Sequence, residues 1–292
     1  MQDLKRTPLY EDHQKLGAKL VEFAGWELPV RYSGVVEEHH TVRRAAGLFD
    51  ICHMGEIRVS GPEAEAALNY LSCNNVTALS DGRAQYSAIL NPEGGVVDDI
   101  IIYRLAKERY LVCVNAANAA KDFAWFCSHN RFNASFVDAS AGTGLLALQG
   151  PAAQEVLRAY APALDLSGLK YFHCKEVVLE GLPAMVARTG YTGEDGFELY
   201  VPWEEVAELW RSLLKVGESF GLKPIGLGAR DSLRLEACYS LYGHELREDR
   251  SALESGLGWI VKFSKGDFIG REALLKEHAS GPKRKSVGFF VE

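Results

Sequence analysis

Between Gly55 and about Ala139 the chain alternates strand-like and helix-like stretches in an order that few architectures accept. EIRVS, AQYSAIL, VVDDIIIY, YLVCVN and NASFVD read as strands, while PEAEAALNYLS and AANAAKDFAWFCSHN read as helices. Pro62 suits a first helical turn, and the paired Gly94 and Gly95 are expected to supply the positive φ of a tight hairpin. The order is close to a β-α-β-β-α-β sandwich with one extra strand, an α+β layer fold. A second α+β block begins near Gly144 with the strand LLALQG and a helix opening at Pro151. Strands around Val177 and Met185, a hairpin at GYTGEDG, the strand FELYV and a helix from Trp203 to about Val216 continue it. Upstream lie a strand from Leu20 to Ala24 and a helix from Val35 to Ala46; downstream, a helix from Leu227 to Ala237. The closing KRKSVGFFVE reads as a strand that stops in mid-element.

At 292 residues, 47% hydrophobic and 24% charged, the chain can bury a substantial core, which excludes disorder and small disulfide scaffolds. Thirty-two Lys and Arg against 39 Asp and Glu leave a charge of −7, which argues against nucleic acid as a partner. The one tight basic cluster, Lys283 to Lys285, reads as solvated tail. No run of about 18 apolar residues occurs and the start, MQDLKRTPLYEDH, carries no apolar signal core, so no membrane partner is expected and the location expected is the cytoplasm. The six cysteines contain no CxxC pair and read as reduced core residues. The neighbouring His39 and His40 lack metal-ligand spacing, and no GxSxG, GxGxxG–helix or P-loop pattern is present.

Two carboxylates stand inside the apolar strand VVDDIIIY. Alternation puts Val97, Asp99, Ile101 and Tyr103 on one face and Val96, Asp98, Ile100 and Ile102 on the other. Burying a carboxylate among Ile and Val is costly unless it is hydrogen-bonded, so a task is indicated for one and loop capping for the other, Asp98. Glu198 in FELYV is either an edge-strand glutamate in water or a functional acid. Arg230, in the first turn of a helix, opposes the helix dipole and calls for an acidic partner or a ligand.

DICHMGE (Asp50 to Glu56), AQYS, NPEGGVVDD, LALQGP, TGYTGEDGFE (Thr189 to Glu198) and GLGARDSLRLEA follow one another in an order that closely resembles the T-protein family of the glycine cleavage system. The likeness runs from RTPLY to the last residues. It implies a tetrahydrofolate-dependent aminomethyltransferase with a cloverleaf of domains around a folate channel. Residues 1–54 with 140–250 would form the first domain, 55–139 a ferredoxin-like second, and 251–292 a connection and the start of a C-terminal β-barrel that is largely missing. The resemblance implies Asp99 as catalytic residue and Glu198, Tyr191, Arg230, Tyr86, Met54, Tyr103, Asn115 and Trp259 as folate-binding. It implies tetrahydrofolate as one-carbon acceptor, no metal and no pyridoxal phosphate. The implied partner is lipoylated H-protein, with P- and L-proteins indirectly. Two rivals share the likeness: a folate-dependent demethylase of the same fold, and a non-catalytic folate-binding protein of iron–sulfur assembly. The latter carries KGCYxGQ where this chain has ACYSLYGHEL.

Overall fold

The structure is a computed structural model, described here for residues 4–288. In chain order its α-helices and strands begin α1 (Tyr10–Lys15), β1 (Lys19–Phe23), β2 (Trp26–Arg31), α2 (Val35–Arg44), β3 (Ala46–Asp50), β4 (Gly55–Ser60), α3 (Ala64–Leu71) and β5 (Arg83–Leu90). Next come β6 (Val96–Ala106), β7 (Arg109–Val114), α4 (Ala119–His129), β8 (Ser135–Asp138), β9 (Thr143–Gln149), α5 (Ala153–Tyr160) and β10 (Cys174–Leu179). The remainder are β11 (Leu182–Ala187), β12 (Gly196–Pro202), α6 (Val206–Gly217), β13 (Leu222–Ile225), α7 (Leu227–Glu236) and α8 (Arg271–Ser280). The chain divides into two compact units. One joins the residues up to Met54 with Ala139–Tyr239; the other joins Gly55–Asp138 with the residues from Ser240 on.

The first unit is built on a sheet of order β10-β11-β12-β9-β3-β13, in which only β13 and β3 run parallel. Every residue of β3 (AGLFD) and β9 (TGLLALQ) is buried, as expected of strands inside a sheet. On α6, Val206, Leu209, Trp210 and Leu213 recur at helical spacing and share one core with Leu146, Leu148 and Phe197. β1 and β2 form a separate antiparallel hairpin.

The second unit carries an antiparallel sheet of order β5-β6-β7-β4-β8. Ile57, Val59, Ile100, Ile102 and Val112 of that sheet share a core with Leu68 and Leu71 of α3 and Phe126 of α4. In the turn from β5 to β6 only Gly94 has a positive φ, +86°. Gly95, expected to need one too, is required for a different reason: a Cβ there would lie 1.9 Å from the Glu248 carbonyl. Ile89 pairs with Asp98 but Leu90 with Val96, so Val97 is an extra, bulged residue. The bulge corrects the strict alternation expected at this end of β6. Val97 joins the core of Ile100 and Ile102, while Val96 joins another with Leu246, Ala252, Leu257, Ile260 and Phe268. That second core is the physical reason why residues 240–288, expected partly in the first domain and partly in a third, cluster with this unit.

Two of the six cysteines, Cys127 and Cys238, are exposed rather than in the core. Cys127 follows the buried Phe126 around α4 and so faces outward. Residues 283–288 hold no strand, contrary to expectation, and the rest of that segment lies outside the described residues. Arg284 is exposed and pairs with Glu254 at 3.1 Å.

Candidate functional site

The nine residues singled out from the sequence divide between the units. Asp99, Tyr86, Asn115, Trp259 and Tyr103 belong to the second; Glu198, Tyr191, Arg230 and Met54 to the first.

In the second unit, β6 presents its two acids to opposite sides. Asp98 is fully buried. Its Oδ1 accepts from Asn115 Nδ2 at 2.9 Å and Asn118 Nδ2 at 2.7 Å, and its Oδ2 from the Asn115 backbone N–H at 3.0 Å. Asp98 thus caps the loop that leaves β7. Asp99 is half-buried; its Oδ2 accepts from the Tyr86 hydroxyl at 3.0 Å and its Oδ1 from Asn115 Nδ2 at 2.9 Å. One amide therefore bridges both acids. Burial, and then the charge of Asp98, push the Asp99 carboxyl up to about 7, against the pull of the Tyr86 and Asn115 hydrogen bonds. A carboxyl that titrates near neutrality can hold or release a proton under working conditions. Trp259, 64% exposed, stacks on Tyr86 with ring centroids 5.9 Å apart. Tyr103 is fully buried and presents no surface.

This geometry separates the two acids by what they do. Asp98→Asn turns an acceptor that faces N–H groups into a donor, and is expected to cost about 1–3 kcal/mol of stability. Turnover should fall much less than for the same change at Asp99. Urea unfolding alongside steady-state rates checks both.

In the first unit, Glu198 sits in β12 between Ala187 of β11 and Ala147 of β9, so it is on an interior strand and not at an edge. The Thr189 hydroxyl donates to its Oε2 at 2.5 Å. Tyr191 stacks on Tyr239 at 5.9 Å, and the Arg230 guanidinium lies 4.8 Å from the Tyr191 ring centre. The group under Arg230 is thus an aromatic ring, where an acidic partner or a ligand was the expectation. The GYTGEDG loop is held at both ends. Arg188 pairs with Asp195 at 2.5 Å, while Arg43 donates to the Thr192 carbonyl at 2.6 Å and binds Glu194 and Glu236. Met54 is half-buried in the turn after β3. Beside it His53 is buried, and among the described residues neither ring nitrogen is hydrogen-bonded; burial, and then the Arg230 charge, drive its pKa down to about 3, so the ring is neutral.

Thr189, Tyr239, His53, Asn118 and Asp122 were not singled out from the sequence. A signal existed for Asp122: it lies four residues before Phe126 and so shares its buried helix face. Thr189 carries none, because its role depends on the pairing of β11 with β12.

The family profile described as the GCVT N-terminal domain matches residues 9–265. A curated aminomethyltransferase of Desulforamulus reducens is 49% identical over 288 residues, which cover 99% of this chain and 79% of that protein. One of Symbiobacterium thermophilum is 52% identical over 294 residues, covering 98% and 78%. The crystal structure of glycine cleavage system aminomethyltransferase T from Bartonella henselae matches with a TM-score of 0.90 at 39% identity, over 97% of this chain and 77% of that one. Among the described residues no helix is long and apolar enough to cross a membrane, and no group of three or more His, Cys, Asp or Glu could hold a metal ion. With that profile, that identity and that shared fold, the chain belongs to the GCVT family, the aminomethyltransferases of the glycine cleavage system.

Proposed function

We propose that this chain transfers the methylene carbon of an aminomethyl group, carried on the lipoyl arm of H-protein, to tetrahydrofolate. The products are 5,10-methylenetetrahydrofolate, ammonia and the dihydrolipoyl arm, and the setting is the cytoplasm. H-protein is the direct partner, and P- and L-proteins act with it. The observation that carries the reading is the unequal treatment of the acid pair: Asp98 is enclosed by Asn115 and Asn118, while Asp99 is half-buried and titrates near neutrality.

The side chains fit the acceptor. A reduced pterin presents adjacent N–H donors on one edge and a flat face. Glu198 offers carboxylate oxygens, Tyr191 and Tyr239 flat rings, and Arg230 a cation. When bound, tetrahydrofolate supplies two nucleophilic nitrogens, and their two hydrogens leave on the ammonia and on the freed thiol. Positive charge develops around the carbon on that path. Ionised Asp99 stabilises it and accepts a proton, oriented by Tyr86 and Asn115. Trp259 stacks on Tyr86, the ring whose hydroxyl donates to that carboxylate, and so helps to fix the Tyr86 ring.

The test is an assay with each donor in turn. Methylenetetrahydrofolate should form only when aminomethylated H-protein is supplied. Formation of 5-methyltetrahydrofolate from a dimethylated amine or a sulfonium compound, with no response to H-protein, would favour the demethylase.

A further inference from the structure

Behind the acid pair, in the same unit, lies a third carboxyl group. Asp122, on α4, is fully buried, and among the described residues neither of its oxygens meets an N–H or O–H donor. Its carboxyl is within hydrogen-bonding reach of Asp98. Two carboxylates in contact cannot both be charged; the pair must share a proton. Asp98 already receives three N–H bonds, from Asn115 and Asn118, and these stabilise its charge. The proton therefore resides on Asp122.

We propose that Asp122 is a positioning residue: as a neutral acid it donates to Asp98, and so holds Asp98, the Asn115 amide and, through that amide, Asp99 in their working arrangement. The chain of contacts runs from the Asp122 hydroxyl to Asp98, from Asn115 to both Asp98 and Asp99, and from the Tyr86 hydroxyl to Asp99. Burial, and then the charge of Asp98, hold the Asp122 carboxyl far above the usual carboxylate range, which agrees. The charges around it are Asp98 and Asp99 from β6 and Lys121 from its own helix. Lys121 is directed elsewhere, to the Val97 carbonyl at 2.8 Å and Glu248 at 2.7 Å. Of the strands packed on α4, β4 brings the buried Glu56 and β8 brings Asp138 at its exposed end. A charged Asp122 would add a second anion behind Asp99 and raise the pH at which Asp99 ionises; the shared proton prevents that.

This inference rests on Asp99 being the catalytic residue, and the experiment separates the two. In the full protein, Asp122→Asn keeps a neutral donor and Asp122→Ala removes it. We expect Asp122→Asn to lower kcat about threefold with the acid limb of its pH profile unmoved. Asp122→Ala should lower kcat at least tenfold with KM for tetrahydrofolate unchanged. An acid limb that drops by about one pH unit in Asp122→Asn would show that Asp122 is charged, and equal kcat in both variants would show that its donor does nothing; either overturns the proposal. Should Asp122→Ala fail to fold, carboxyl-carbon NMR decides. The Asp122 signal, identified by its loss in Asp122→Asn, should stay at its protonated position from pH 5 to pH 9, and titration below pH 7 overturns it. Asp99→Asn is the control: wild-type turnover there would sink the role of Asp99 and leave the Asp122 signal to stand or fall by itself.

Discussion

Asp99→Asn is expected to lower turnover at least about a hundredfold and, at pH 8, to make the protein more stable. The loss of rate is the usual scale for removing a charge-stabilising or proton-accepting group. The gain in stability follows from the direction in which Asp99 is displaced. Its carboxyl is raised to about 7 in the folded chain, from an ordinary value of 3.8. The folded state therefore holds that proton more tightly than the unfolded one. The associated stabilisation is complete below about pH 4 and lost as pH rises through 7. Above that, wild type carries an ionised, half-buried acid that the asparagine variant lacks. After discounting for partial exposure, the difference is about 1–2 kcal/mol. Calorimetric melts at pH 8 and pH 5 should show the advantage of Asp99→Asn shrinking as the pH falls. Over the same interval wild-type turnover should decline as the carboxylate is protonated. Unimpaired turnover in Asp99→Asn, or a larger loss in Asp98→Asn, would reverse the roles given to the two acids.

Glu198→Gln is expected to weaken the binding of a reduced folate about five- to 150-fold, the equivalent of 1–3 kcal/mol for an unpaired buried contact. The substitution replaces one of two acceptors with an N–H donor aimed at a donor edge. The Thr189 hydroxyl can turn to follow the change, since it may donate to or accept from an amide. The strand itself is held by its neighbours on both sides, so the fold should be unaffected. Titration calorimetry measures the loss, and unchanged affinity would return Glu198 to a structural role.

How much of this was legible beforehand varies with how far each feature depends on distant partners. The opposite faces of Asp98 and Asp99 follow from the period of a strand, and the expectation that Asp98 caps a loop follows from the need of a buried carboxylate for hydrogen bonds. The bulge at Val97 did not. It sits where the Val96 N–H donates to the Arg247 and Arg250 carbonyls, about 150 residues further along the chain. The short strands β3 and β13 were missed because AGLFD and LKPI show no alternation; what makes them strands is their pairing with each other and with β9. Helix α8 buries only Leu274, too little to give a readable apolar stripe. In the candidate site, the acid pair and Glu198 stand out as charges among apolar residues. Thr189 and Asn118 become meaningful only once loops and strands are paired.

The placement of β3 bears on how the protein is made. This strand leaves the ribosome early, yet its parallel partner is β13, with Ala46 opposite Leu222. At about 5–20 residues per second, roughly ten to thirty-five seconds separate the synthesis of the two. During that wait a strand that is fully buried in the finished sheet has an unpaired edge. The first unit must therefore close after synthesis of the intervening segment, with a high entropic cost of loop closure. In the cell that interval is the one in which a nascent chain would draw on chaperones and be most open to aggregation.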